Sequence, residues 1–444
     1  MSHYKPYPAY RDSGVEWLGR VPEHWAAKKL MYWISTGYGS GTTPSDESYY
    51  INDESGVAWV TTGELRENTI NRTEKYVTEH ALASHSALKV HPVGSLVIAM
   101  YGATIGRLGV LGIEATLNQA CFAIHPSSVI TTPFLRYWFE GFRSELIELG
   151  TGGGQPNVSA DKIRNLVVPA PCSEDEQNAV TLHLDRETVR IDALVAKKTR
   201  FIELLREKRQ ALITHAVTKG LDPSVKMKDS GVEWLGEVPE HWEIRSVSSV
   251  GTKITNGYVG PTRDILVEDG VRYLQSLHIK GNQIKFDVPY FVTSEWSGQH
   301  KKSILEAGDV LIVQTGDIGQ ATVVTDEFAG CNCHALIIVS PDRNIVAGEW
   351  ISWVFNSSYG LHTLLSIQTG AMHPHLNCGN VKDVALPVPP LDEQWEIIKC
   401  VEHEARRVSA LIAKTERSIE LIKERRSALI TAAVTGQIDL REAA

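Results

Sequence analysis

Six cysteines in 444 residues, none in a CxxC pair, provide neither a regular disulfide framework nor a ribbon-type zinc site. That scarcity suits a reducing cytoplasm. No apolar run approaches the roughly twenty residues of a membrane-spanning helix, and the opening MSHYKPYPAYRDSG lacks the apolar centre of a signal peptide. Basic residues are not in excess: 44 Lys and Arg stand against 53 Asp and Glu, a net charge of −9. Such a balance excludes a protein that coats nucleic acid by charge alone. Catalytic signatures are missing as well. There is no GxxxxGK phosphate loop, no GxSxG elbow and no HExxH helix. Gly37-Tyr38-Gly39-Ser40-Gly41 lacks GxGxxG spacing. The single Pro-Pro, Pro389-Pro390, lies between Val388 and Leu391, not in the motif of adenine amino-methyltransferases. Polar groups are many, but none is arranged for chemistry.

Glycine and proline are absent from two further stretches, Glu176–Thr218 and Glu393–Thr435. Each closes on a related segment: IELLREKRQALITHAVT from Ile202, and IELIKERRSALITAAVT from Ile419, with twelve of seventeen positions identical at an offset of 217. Ile191, Val195, Ile202, Leu205, Leu212 and Ala216 recur by threes and fours, as do Val408, Ile412, Ile419, Ile422, Leu429 and Ala433. This seven-residue seam predicts two long helices that pack on each other. Polar residues interrupt it at equivalent places, Lys198 with Thr415 and Arg209 with Arg426, and can fix the register. At about 1.5 Å per residue each stretch makes a rod of roughly 65 Å.

The duplication extends to the rest of the chain. Asp12–Trp25 and Asp229–Trp242 read DSGVEWLGxVPEHW and differ only at Arg20 versus Glu237. Their apolar residues predict a short clasp docked against the rods or the domains. Between clasp and rod lie two inserts of equal size and little identity. Their shared skeleton predicts strands at Gly56–Thr61, Leu96–Met100, Val271–Leu274, Val310–Val313 and Ala335–Val339, and helices at Pro133–Leu149 and Ala347–Leu365. Each insert ends in a matched loop, Thr151–Asn157 against Thr369–His375, then a proline-rich joint. One scaffold with two different surfaces suits the reading of two different things.

Cys331, Cys333, His334, His373, His375 and Cys378 contain enough ligand types for a metal. Aligning the copies replaces His373 and His375 by Gln155 and Asn157, and Cys333 and His334 by Asn118 and Gln119. Ligand types vanish from the matching frame, so no metal is expected; a packed cluster and a ligand-facing loop both stay open. What Gln, Asn and His share is the capacity to hydrogen-bond base edges or phosphates. Charge adds little: residues 26–165 hold eleven basic against thirteen acidic side chains, and residues 243–382 ten against thirteen.

The WLGxVPxHW segment, the DEQ-led helix ending in LITxAVT, and the twofold repeat with divergent inserts resemble the specificity subunit of type I restriction–modification enzymes over nearly the whole chain. The resemblance implies an α+β chain: two similar mixed α/β target-recognition domains, separated by a pair of long antiparallel coiled-coil helices with internal twofold pseudo-symmetry. It divides the chain into 1–170, a repeated segment plus the first recognition domain (26–170); 171–221, the central helix; 222–388, the second segment and domain (243–388); and 389–444, the C-terminal helix. It implies a non-catalytic subunit: each domain reads half of a bipartite double-stranded DNA target, and the helices set the spacing and dock two modification subunits, with restriction subunits beyond. No cofactor is expected in this chain. S-adenosylmethionine, ATP and Mg²⁺ belong to the partners.

Candidate DNA contacts are polar residues in the loops: Thr42, Thr43, Arg66, Arg107, Gln155 and Asn157 in the first insert, and Asn256, Tyr258, Arg263, Lys280, Gln314, His373 and His375 in the second. Arg can read guanine, and Asn or Gln adenine, through paired hydrogen bonds. The competing readings are a scaffolding repeat adaptor without DNA specificity and a metal-dependent enzyme built on the Cys/His group of the second insert.

Overall fold

The computed structural model describes residues 4–34, 36–151, 156–370, 372 and 374–441. The chain forms two compact units, Met1–Lys198 with Arg417–Ala444, and Thr199–Glu416. The division falls inside both long helices, Glu174–Lys219 and Leu391–Val434, each a residue or two different from the glycine-free stretches. Among the described residues no helix is long and apolar enough to cross a membrane.

The first unit holds a five-stranded sheet in the order Tyr38–Ser40, Cys121–Ile124, Leu96–Ala99, Leu108–Leu111, Asn68–Ile70. Its pairs are antiparallel except the last. A four-stranded sheet runs Ala115–Leu117, Val57–Val60, Lys75–Val77, Tyr50–Ile51, its first pair parallel. The second unit repeats this plan with one strand fewer in its first sheet. One sheet runs Gly251–Asn256, Leu336–Pro341, Val310–Val313, Ala321–Val323, and the other Leu266–Val267, Phe291–Val292, Val271–Leu274, Asn332–Cys333, its last pair again parallel. All five expected strands form, shifted by at most two residues at their ends. Runs such as Leu96–Ala99 and Val310–Val313 are buried on both faces, which is why they are apolar without alternation.

Both expected insert helices are broken in two. Thr132–Gly141 and Arg143–Glu148 replace Pro133–Leu149. At Phe142 the backbone leaves the helical region (ψ 12°), and the ring stacks on Trp138 at 4.8 Å. Gly348–Phe355 and Ser358–Ser366 replace Ala347–Leu365, because Ser357 caps the second helix by accepting from the Gly360 amide at 3.1 Å. Gly360 sits so tightly on the preceding turn that a Cβ would stand 2.1 Å from the Val354 carbonyl oxygen.

In each unit the start of one long helix shares a core with the end of the other. Val180 and Leu184 join Leu429, Ile430 and Ala433 in the first; Ile213, Ala216 and Val217 join Ile397, Val401 and Ala405 in the second. The two segments therefore run antiparallel. Most of the expected seam is buried or half-buried, but Leu212 is 39% exposed and Ile213 takes its place inside. A 3.6-residue turn drifts by about 20° per seven residues, and toward the end of the rod the neighbouring position faces inward.

Candidate nucleic-acid interface

The DEQ tripeptide at the start of each long helix fastens an insert to its rod. Glu176 Oε1 accepts from Trp25 Nε1 at 2.9 Å, and Glu393 Oε1 from Trp242 Nε1 at 3.0 Å. His24 and His241 contact the second carboxylate oxygens at 2.9 and 2.7 Å. The clasp segments thus dock on the rods, with both tryptophans fully buried. The following glutamine holds the insert itself. Gln177 accepts from the Thr131 amide and donates to the Val129 and Pro171 carbonyls. Gln394 accepts from Ala347 and donates to Ile345 and Pro389. Sequence reasoning missed these roles; the signal was a buried-type spacing of an uncharged polar residue repeated at 217.

From this anchored frame the two sheets present matching loop edges. Gly41 and Gly257 lie against the carbonyls of Leu117 and Cys333, where a Cβ would collide with backbone oxygen. The next residues donate to those carbonyls: Thr42 N to Leu117 O at 3.1 Å, and Tyr258 N to Cys333 O at 2.9 Å. Thr42 therefore matches Tyr258. The same pairing corrects the alignment of the cysteine region by one residue. Asn118 N bonds Val60 O and His334 N bonds Leu274 O, so Cys333 matches Leu117 and His334 matches Asn118.

The matched loops close identically. Thr151 and Asn157 exchange two backbone hydrogen bonds at 2.9 and 3.0 Å, and Thr369 and His375 exchange two at 2.9 Å. Val158 N then bonds Met100 O, and Leu376 N bonds Gln314 O, which seats each loop beside the end of the central strand. Gln155 and His373 lie outside the described residues.

In the first unit the structure brings together Thr42, Thr43, Arg107 and Asn157. Thr43 is hydrogen-bonded to Gln119, Met100 N bonds Ala120 O, Tyr101 bridges Asn157, and Ala99 N bonds Arg107 O. Arg66 is in an adjoining loop, its Nε folded onto the Gly63 carbonyl at 3.1 Å. At the far end of the same strands His91 Nδ1 lies 2.9 Å from His125 Nε2. Burial first, and the neighbouring imidazole second, push His91 down to about 4, so it is neutral at physiological pH.

In the second unit Tyr258, Gln314 and His375 gather at the corresponding edge. Gln314 Oε1 is shielded and has no partner among the described residues. Asn256 is committed internally, accepting from the Cys378 thiol at 2.6 Å. Arg263 is exposed in the loop that follows Tyr258. Lys280 stands elsewhere, over a cavity that also exposes Arg209 and Arg406 of the long helices. An unforeseen aromatic cluster surrounds Tyr258: Trp296 and His300 meet its ring edge-on at 5.1 Å and stack on each other at 3.9 Å. These two sit four residues apart on the turn capped by Thr293, and that spacing was the available signal.

The cysteine cluster is packing. Cys331 and Cys333 lie in a core with Leu274 and Ile338; burial raises both thiols, Cys331 to about 11. Among the described residues no three His, Cys, Asp or Glu side chains stand together as a metal site.

Comparison with known proteins places the chain in a family. The family model for the type I restriction modification DNA specificity domain matches residues 36–192 and 239–421. Among curated relatives, the MjaVIII specificity subunit of Methanocaldococcus jannaschii is 19% identical over 434 residues, covering 95% of each chain. The EcoR124I/EcoR124II specificity subunit of Escherichia coli is 24% identical over 205 residues, covering 45% of this chain and 49% of its own. Among solved structures, a chain from work on complex assembly and conformational transition of the type I R-M system superposes with a TM-score of 0.73 at 15% identity, covering 94% of this chain and 99% of that one. The HsdS subunit of Thermoanaerobacter tengcongensis gives 0.55 at 14% identity, covering 94% and 98%. The family model spans most of the sequence in two tandem copies, and the chain belongs to the DNA specificity subunits of type I restriction–modification systems.

Proposed function

We propose that each unit reads one half of a bipartite double-stranded DNA target, through the loop edge around Thr42, Thr43, Arg107 and Asn157 in one and around Tyr258, Gln314 and His375 in the other. The observation that carries this reading is the equivalence of the two edges: the same backbone hydrogen bonds present different side chains. A frame held constant while its polar tips vary is what two independent base readers require. The chain contributes recognition and not chemistry. Methylation falls to two modification subunits carrying S-adenosylmethionine; a target adenine must be flipped out of the stack, so a separate element has to hold the duplex in register. Restriction subunits with ATP and Mg²⁺ complete the assembly in the cytoplasm. Partner subunits also offset the acidic balance of this chain on DNA, since phosphate contacts can come from any member of the complex.

The test is a map of adenine methylation by single-molecule sequencing, in a host carrying this chain with its modification partner. Residues 26–170 are exchanged for the equivalent insert of a relative with another specificity. The expected outcome is a split motif in which one half changes while the other half and the gap persist. Methylation at no specific motif by an assembled complex would return the chain to the scaffold reading.

A further inference from the structure

Arg209 and Arg426 occupy the same place in the two helix copies, yet their surroundings differ. In the first unit Arg426 Nη1 donates to Glu140 Oε1 at 2.5 Å, and its Nε makes a charge contact with Asp192 Oδ1 at 3.1 Å. In the second unit the position matching Asp192 is Ser409. The position matching Glu140, counted from the amides of Thr131 and Ala347 that the two glutamines hold, is Asn356. Neither carries charge, and the Asn356 amide is already bonded to both backbone groups of Ala321. The shielded Nε atoms of both arginines lack a hydrogen-bond acceptor among the described residues, but only Arg209 is also without an ion pair there. Burial, with no carboxylate to oppose it, pushes its guanidinium below the ordinary value.

Beside Arg209 opens a cavity of about 690 Å³. Lys280, Lys285 and Arg406 add three cations to its wall, and Ser409 and Asn282 add neutral hydrogen-bonding groups. Of the acidic wall residues, Glu327 is tied to Arg272 at 3.1 Å. Glu349 and Glu402 remain and oppose a polyanion such as a nucleic-acid backbone. A guanidinium of planar geometry, half out of water, takes a carboxylate in two parallel hydrogen bonds.

We infer that this cavity seats an aspartate or glutamate side chain of a protein partner. It supplies in the second unit the carboxylate that the first unit draws from its own chain. The inference rests on the chain acting as a subunit of a protein complex. Because Arg426 is already paired, the seat exists in one unit only, so a partner that binds both units grips them unequally.

The full chain is titrated calorimetrically with a hexaglutamate peptide, as wild type and as Arg209→Met and Arg426→Met. One peptide per chain is expected, weakened about tenfold or more by Arg209→Met, a loss in line with a charge-assisted pair. Arg426→Met should leave that affinity unchanged but lower Tm, because Glu140 and Asp192 lose their cation. Arg209→Met should keep or raise Tm, since an apolar side chain replaces an unpaired charge. Absence of peptide binding to the wild type, or equal affinity in Arg209→Met, overturns the proposal. So does Arg209-dependent binding of inorganic phosphate or a random duplex that exceeds binding of the peptide. None of these outcomes depends on the methylation map, so failure here leaves half-site reading standing.

Discussion

Inserting seven residues into each long helix, after Lys198 and after Thr415, should lengthen the gap between the recognised half-sites by about three base pairs. The two positions are equivalent in the repeat, and each adjoins the point where its helix passes from one unit to the other. Seven residues add roughly 10.5 Å of helix and about two turns, so every buried face returns to within about 20° of its old direction. Thr415, buried with its hydroxyl on the Leu411 carbonyl, stays in its own turn. Three base pairs occupy about 10 Å of duplex at 3.4 Å each. They also rotate one half-site by roughly 100° relative to the other, given about 10.5 base pairs per turn. The altered complex should therefore methylate the longer target more slowly than the parent methylates its own, while both half-sequences stay as they were. The readout is the same methylation map, with subunit assembly checked by mass. An unchanged gap in an assembled complex would remove the helices from any role as a ruler.

The rods, the clasp and the duplication were legible because they rest on local rules. A stretch without glycine or proline and with apolar residues by threes and fours has few alternatives to a helix, and a 217-residue offset exposes every equivalent position. The breaks at Phe142 and at Asn356-Ser357 were not legible. Each turns on how neighbouring turns pack, the Trp138 ring on Phe142 in one and the tight seat of Gly360 against Val354 and Phe355 in the other, and such packing leaves no mark in residue type or spacing. The candidate site was legible in part for the same reason. Loops marked by glycine and polar residues did fall on the two sheet edges, which places Thr42, Asn157, Tyr258, Gln314 and His375 on the edges proposed above as readers. Lys280 and Asn256 did not follow, because side-chain direction is set by packing: one overlooks the helices and the other is held by Cys378. The one-residue error at Cys333 and His334 has a similar origin. A parallel strand pair fixes the register through backbone bonds, and residue type carries no trace of it.

Gln394→Leu should destabilise the second unit by about 3–9 kcal/mol. The side chain is fully buried and makes three hydrogen bonds to backbone, accepting from Ala347 N at 2.9 Å and donating to Ile345 O at 3.0 Å and Pro389 O at 2.8 Å. Leucine fills nearly the same volume, so water cannot enter to replace the amide, and one N–H and two C=O groups lose a partner. Each such group costs about 1–3 kcal/mol when left unsatisfied. Alanine at the same position should cost less, since the space it leaves is polar-walled and roomy enough for a water molecule to bridge the same groups. The ordering Leu worse than Ala is the reverse of what hydrophobic packing alone demands, and it separates the two explanations. For a unit of this size a loss of about 4 kcal/mol lowers Tm by roughly 8–16 °C. Hydrogen exchange should show the Ala347 amide losing protection first, while the Thr131 amide, held by the untouched Gln177, keeps its own. A Gln394→Leu protein within about 1 kcal/mol of the parent, or one more stable than Gln394→Ala, would show that the DEQ glutamine does not hold the recognition insert to its rod.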